Sequence, residues 1–231
     1  WRGYVIPIFS GEVRMQKSPG PYWAVCLTAW LRGTPVDVVS TRIPSAISAI
    51  ALVATVFWLA LRIGGQRIAI FSGFAASASV LALYWSHRGA SDLGVTFFCT
   101  LSLACLWVGS ESAPPGRKRV LLWLAGYFAA GLGMLYKFPV PLLAVGVPAV
   151  LYVLICRRWE ILRSAWHLLG LVVFALPWLP WVISLALLQS SAAAESGVDF
   201  MTTLNKWRVE FWDRVTGDLP NVEGQRGDWK M

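Results

Sequence analysis

Six long runs of the chain contain no Asp, Glu, Lys or Arg: Ile43–Leu61, Ile68–Trp85, Leu93–Ser110, Val120–Tyr136, Phe138–Cys156 and Ala165–Gln189. The hydrocarbon core of a bilayer is about 30 Å thick and takes about 20 apolar residues of helix to cross. Each run approaches or meets that length, so the pattern predicts about six membrane-crossing helices. Barrel strands are shorter and alternate apolar with polar positions, whereas these runs are continuously apolar. Ala165–Gln189 holds Pro177 and Pro180 near its middle. A proline removes a backbone donor and crowds the preceding turn, so this last helix is expected to bend. Residues 1–42 read differently, being punctuated by Pro7, Gly11, Pro19, Gly20, Pro21 and Pro35. Within them Tyr22–Leu31 is apolar and aromatic but too short to span, which predicts a helix lying in the membrane interface. Val198–Val215 alternates apolar residues with Lys206, Arg208, Glu210 and Asp213 and predicts a second surface helix.

Composition agrees with the pattern. Of 231 residues, 57% are hydrophobic and only 14% charged, with a mean hydropathy of +0.59. Soluble domains carry about a quarter charged residues. Trp58, Trp85, Trp107, Trp123 and Trp178 sit within or near the ends of the runs, and Trp favours the level where its ring is half buried and its N–H stays wet. The net charge of +8 does not point to nucleic acid, because the cations crowd into short connections. Arg62 and Arg67 fill the first, Arg117, Lys118 and Arg119 the third, and Arg157, Arg158 and Arg163 the fifth. Odd-numbered connections share one side, and the positive-inside rule makes that side cytoplasmic. Cys26, Cys99, Cys105 and Cys156 show no paired spacing for zinc or for a disulfide framework.

The opposite side receives residues 1–42, the loop 86–92, the turn at Lys137 and the tail. It gathers Lys17, His87, Arg88, Asp92 and Lys137. Ionisable groups at the mouths of apolar helices are costly to keep there, so they are functional candidates. Some of these cations and acids have a plainer reading beside them. Asp92 could cap the next helix or pair with Arg88, Lys137 could snorkel to the interface, and Arg42 could anchor the start of its helix.

Several short motifs carry a resemblance. Gln16-Lys17-Ser18-Pro19-Gly20-Pro21-Tyr22-Trp23 resembles the Lys-Pro-Pro-aromatic stretch in the first external loop of polyprenyl-phosphate-dependent glycosyltransferases. Arg42-Ile43-Pro44-Ser45-Ala46 resembles their Arg-Leu-Pro-Ser-Ala segment at the next membrane helix. His87-Arg88-Gly89-Ala90-Ser91-Asp92, with Val95-Thr96-Phe97-Phe98 after it, resembles their Arg-x-x-x-Asp loop and following helix. Gly131–Val140 resembles their Gly-Leu…Lys-Gly-Pro segment, and Leu176-Pro177-Trp178 a later helix. In order and spacing these match the C-type family that includes aminoarabinose transferases of lipid A and dolichyl-phosphate-mannose protein mannosyltransferases. The resemblance covers nearly the whole chain.

It implies an all-α integral-membrane fold with short interfacial helices in the external loops. It also implies transfer of a hexosyl or pentosyl group from a polyprenyl-phosphate donor to a lipid, protein or glycan acceptor hydroxyl. Such transfer needs a base for the hydroxyl proton and cations for the phosphate that leaves. Carried over by position, Asp92 matches the family's second acidic residue and is the catalytic candidate in this chain. Lys17, Arg88 and Lys137 match residues that bind the substrate. The family's first acid is expected upstream of Trp1. The chain therefore reads as an internal piece of a longer protein, inactive alone. Gln16 stands where many aminoarabinose transferases have a metal-site Glu, so no metal is assigned to these residues, and a divalent metal in the full-length protein stays open. Phe138 replaces the usual Gly after the later lysine.

The domain reading that follows is a partial transmembrane glycosyltransferase domain over 1–194, with 1–42 as external loop, 43–194 as about six membrane helices, and 195–231 as the start of an external polar segment. The implied partners are the polyprenyl-phosphate sugar donor, its acceptor and membrane lipids, with no nucleic acid. The implied location is the inner (plasma) membrane, the site facing the periplasm or exterior. A transporter or flippase, or a homologue that keeps the fold without catalysis, is the competing reading. A transporter would place charges at broken helices near the midplane, whereas here they gather at one face. Topology is directly testable. Single cysteines at 17, 92 and 137 should react with an impermeant thiol reagent from outside, and cysteines at 118 and 158 only from inside. Labelling of 92 and 118 from the same side would reject this arrangement.

Overall fold

The computed structural model of the chain describes residues 8–9, 12–13, 18–86, 88–89, 91–196, 205 and 208. They fall into two compact units, Lys17–Val182 and a second made of Trp1–Gln16 with Ile183–Met231. The described part of the second unit includes a hairpin of β1 (Ile8–Phe9) and β2 (Glu12–Val13), antiparallel with Ile8 opposite Val13 and Phe9 opposite Glu12. The hairpin lies outside all six apolar runs, which are helical without strands. The surface helix expected over 198–215 lies outside the described residues apart from Asn205 and Arg208, both helical.

The larger unit opens with α1 (Gly20–Arg32), the short aromatic helix expected from Tyr22–Leu31. Pro19 precedes it and Pro21 sits in its first turn, positions where the missing amide costs nothing. It closes on Gly33 at φ 64°, with Gly33 N–H donating to Trp30 O and Thr34 N–H to Ala29 O, the paired bonds of a Schellman ending. Helix α2 (Val38–Ser77) starts from Asp37, whose carboxylate accepts from Ser40 N–H at 2.7 Å while the Ser40 hydroxyl accepts from Asp37 N–H. Arg32 donates to the same carboxylate at 2.6 Å. That bond foremost, with those from Ser40, holds the Asp37 carboxyl well below the usual carboxylate range.

Three of the six runs do not form single spanning helices: the second, the fifth and the last. The second is divided. Gly65, at φ 79° and ψ −173°, kinks α2 in the connection between the first and second runs, in a backbone region open to glycine alone. The helix then stops at Ala78, where Ser77 Oγ turns back onto Phe74 O, and resumes as α3 (Val80–Ser86). Serine hydroxyls compete in this way with the helix ladder. The fifth run is shortened to α6 (Leu142–Ile155) because Pro139 and Pro141 cannot donate to a first turn begun at Phe138. Its first part, Leu142–Gly146, is a π turn lying just ahead of Pro148, where a widened turn absorbs the missing amide. Helices α4 (Ser91–Trp107, prolonged by a π turn to Ser112) and α5 (Arg117–Tyr136) are uninterrupted. After the four-residue α7 (Trp159–Leu162) come α8 (Trp166–Ala175) and α9 (Leu179–Ser196). The last run is bent at this break, beside Pro177, as expected. Among the described residues three helices are long and apolar enough to cross a membrane, or four if the bent pair is one span.

Packing centres on α4 and α5, with α2 on α4, α8 on α5 and α1 on α2. Val95, Cys99 and Val145 form a buried cluster flanked by Leu103, Leu106, Tyr136, Val140 and Ala144. Much of the rest of the apolar surface faces outward: Phe71, Phe74 and Ile155 each leave over two thirds of their area uncovered. In water such a surface would aggregate; in lipid it is the solvated surface. Helices associate in lipid through close approach of small residues. Accordingly, a Cβ on Gly131 would stand 2.3 Å from Phe174 O of α8, and one on Gly126 would meet Ser102 O of α4 at 3.1 Å. Gly131→Ala should therefore destabilise the full-length protein by about 1–3 kcal/mol, the usual cost of overpacking. Gly146→Ala, with nothing within 4 Å of the new methyl, serves as the comparison. Thermal unfolding in detergent reads both, and equal stability of the two variants would contradict the packing.

Candidate functional site

The first turn of α4 and the end of α5 meet at one end of the bundle. Asp92 is the second residue of α4, near the helix end whose dipole favours a carboxylate. Lys137 follows the last residue of α5 at φ −159° and ψ 89°, its N–H still held by Gly133 O at 3.0 Å. Lys137 Nζ donates to Asp92 Oδ1 at 2.7 Å, the two side chains being 31% and 42% exposed. The pair is thus open to solvent and to a ligand. Below it the Tyr136 ring lies on Gly94, where a Cβ would come within 2.2 Å of Cδ1, and rests 5.2 Å from Phe98. This packing fixes the end of α5 against the start of α4.

The segment after Lys17 docks onto the same place. Phe138 N–H donates to Ser18 Oγ at 3.1 Å. Pro19 is fully buried, and a Cβ on Gly20 would stand 2.6 Å from Leu135 O. Phe138 places its ring 6.0 Å from Trp178. The Trp178 indole N–H is buried with no hydrogen-bond partner among the described residues.

Of the sequence candidates, Asp92 and Lys137 are brought into direct contact. Arg88 is not part of that pair: its guanidinium stacks 4.0 Å from the Tyr84 ring centroid. Asp92 therefore neither pairs with Arg88 nor occupies the capping position itself. Lys17 and His87 lie outside the described residues. Ser18, Tyr136 and Trp178 have no site role in the sequence reading, although each lies in a quoted motif. Only the fold shows what the Ser18 hydroxyl holds. No group of three His, Cys, Asp or Glu comes together as metal ligands among the described residues.

The opposite end of α4 and α5 holds the basic connections. The 22 residues of Ser91–Ser112 span about 33 Å at 1.5 Å per residue, enough to cross the hydrocarbon core. There Glu111 pairs with Arg158 at 2.7 Å and accepts from the Tyr152 hydroxyl, and Trp123 Nε1 donates to Ser110 Oγ at 3.1 Å.

Residues 16–183 match the family model described as dolichyl-phosphate-mannose-protein mannosyltransferase. The chain belongs to this family. The matched range begins one residue before Lys17 and contains Arg88, Asp92 and Lys137. Among relatives, an uncharacterized protein of Aquifex aeolicus is 29% identical over 174 residues, covering 75% of this chain and 34% of that protein. The undecaprenyl phosphate-alpha-4-amino-4-deoxy-L-arabinose arabinosyl transferase of Erwinia tasmaniensis is 30% identical over 186 residues, covering 79% and 32%. Its counterpart from Edwardsiella ictaluri is 29% identical, covering 90% and 35%. The chain thus spans about a third of the length of the relatives it matches. Crystal structures of ArnT from Cupriavidus metallidurans, apo and bound to undecaprenyl phosphate, superpose with a TM-score of 0.72 at 24% identity. They cover 80% of this chain, which shares their multi-pass membrane fold, and the chain covers 34% of each.

A pair this exposed contributes little to stability. Exposed ion pairs typically give about 0.2–1 kcal/mol. A double-mutant cycle on Asp92→Asn and Lys137→Met, read by unfolding of the full-length protein, should return a coupling below about 1 kcal/mol. A coupling of several kcal/mol would make the pair a structural clamp and remove the reason to assign it chemistry.

Proposed function

We propose that this chain is the part of an integral-membrane glycosyltransferase that receives a polyprenyl-phosphate sugar and passes the sugar to an acceptor hydroxyl at the outer face of the membrane. The observation that carries this reading is the Asp92–Lys137 pair at 2.7 Å, set at the bundle end opposite the basic connections. The Ser18–Phe138 bond supports it, because it ties the residue after Lys17 to the residue after Lys137. Family membership and the names of the arabinosyl transferase relatives support the donor class. The protein then resides in the inner membrane, with residues 43–194 as part of its membrane domain and the site on the periplasmic or exterior side.

In the reaction the acceptor oxygen bonds to the anomeric carbon as the bond from that carbon to the phosphate oxygen breaks. The hydroxyl proton leaves to a base, and the lipid phosphate departs with added negative charge. Asp92 supplies a carboxylate held in one orientation by the Lys137 ammonium, suited to accept or orient that hydroxyl. Lys137 also places a cation where the leaving phosphate can share it, with Lys17 and Arg88 as further cations for the donor. Phe138 and Trp178 give the donor an apolar wall beside those charges. The transferred group is a hexosyl or pentosyl unit.

Sugar transfer from a synthetic polyprenyl-phosphate donor by the purified full-length protein tests this. Asp92→Asn keeps size and hydrogen bonding but removes the charge, and should lower kcat about 10²–10⁴-fold with the fold intact. Lys17→Ala should raise KM for the donor and also lower kcat, since the phosphate is met in both ground and transition states. Near-normal turnover of Asp92→Asn would show the carboxylate to be structural.

A further inference from the structure

A cavity lies at the other end of the bundle. It sits between the start of α5 and the segment running from Arg158 to Trp166 and measures about 760 Å³, within the range of small-ligand sites. Arg117, Arg119 and Arg158 line it together with Leu124, Ile161 and Trp166. The three arginines are not equivalent. Arg158 is already matched, at 2.7 Å to Glu111 and 3.3 Å to Glu160. Arg117 has no acidic partner among the described residues. Arg119 gives one N–H to Ala113 O at 3.0 Å, but its Nε is buried without a hydrogen-bond partner there.

The helix end adds to this surplus of positive charge. α5 begins after Gly116 with no side-chain cap on its first amides and no acidic residue in its first turn. Instead Arg117, Lys118 and Arg119 occupy that turn. Cations at a helix N-terminus oppose its dipole, and the open amides there are themselves anion donors. A bound phosphate would meet the amides and the unmatched Arg117 guanidinium together, with Arg119 also in the lining. The apolar part of the lining belongs at the level where α5 enters the hydrocarbon, since its uncharged run starts at Val120. A free anion would leave that wall wet.

We propose that this cavity binds the headgroup of an anionic phospholipid of the cytoplasmic leaflet. Arg117 and Arg119 hold its phosphate, and Leu124, Ile161 and Trp166 lie along its glycerol and upper acyl chains. Basic pockets between membrane helices on the cytoplasmic side suit such headgroups. The site stands about 30 Å from the Asp92–Lys137 pair along the length of α5, so it is separate from the donor site. It rests on the side assignment of the basic loops and not on the transfer reaction.

Native mass spectrometry of the full-length protein in detergent, titrated with phosphatidylglycerol, phosphatidylcholine or inorganic phosphate, tests the proposal without reference to turnover. Phosphatidylglycerol should bind saturably and in preference to phosphatidylcholine. Each of Arg117→Gln and Arg119→Gln should weaken it about fivefold. The double variant Arg62→Gln with Arg67→Gln, which removes two cations from the same face elsewhere, should leave binding unchanged. Ile161→Trp fills the cavity with every cation intact and should also weaken binding, which keeps the test decisive if an arginine variant does not insert. Equal affinity for phosphatidylcholine would overturn the proposal. So would equal losses in the Arg62/Arg67 variant, which would mark diffuse surface attraction. Full displacement of the lipid by millimolar phosphate would make this a free-anion site, and unchanged binding in Ile161→Trp would place the lipid elsewhere.

Discussion

Helices α4 and α5 lie close enough to share a hydrogen bond at each end only because small residues line their seam. Gly126 leaves room for Ser102 O and Leu106, and Gly94 receives the ring of Tyr136. Lipid offers no hydrophobic drive to associate helices, so close approach and buried polar contacts carry that role. With the seam fixed, two antiparallel helices of 22 and 20 residues set the distance between the membrane faces. Asp92 and Lys137 then meet at one face, while Ser110 bonds Trp123 and Glu111 bonds Arg158 at the other. Change the seam, and both ends lose their partners together.

The bilayer explains why the charges sit where they do. An ion pair at the midplane would need full compensation for its lost hydration, whereas at the mouth of the bundle Asp92 and Lys137 keep part of their water. That partial exposure makes the pair weak as a structural bond and available to a ligand. The same economy operates at the other face, where Glu111 and Glu160 neutralise Arg158 and leave Arg117 and Arg119 with charge to offer. On the two proposals made above, the two ends would serve two different anionic groups, one on a reacting donor and one on a resident lipid.

Much of the fold was legible in the chain because a membrane helix is encoded locally. A long uncharged run has few conformations open to it in lipid, and the bend beside Pro177 follows from one missing amide. The count of spans was less legible. The break at Ala78, after Ser77, divides an apolar run that composition alone presents as continuous, and Pro139 with Pro141 delays the start of α6. Hydropathy averages over a window and does not register a serine that turns onto its own helix.

For the candidate site, the residue types were readable, since Lys17, Arg88, Asp92 and Lys137 stand out against apolar surroundings. Family membership followed from the order of short motifs. Partnership was not readable. Whether Asp92 would pair with Arg88, four residues away, or with Lys137, 45 residues away, depends on where α5 ends relative to α4, and that is set by side-chain packing between helices. The Ser18–Phe138 bond joins residues 120 apart, and the cavity at Arg119 is enclosed by segments remote in sequence. The chain itself determined that these helices enter a membrane, because satisfying the backbone amides within a long uncharged run is a property of each segment. Only the tertiary structure decided which charged groups touch and which stay unmatched, because those depend on ångström-scale packing between segments that no local pattern encodes.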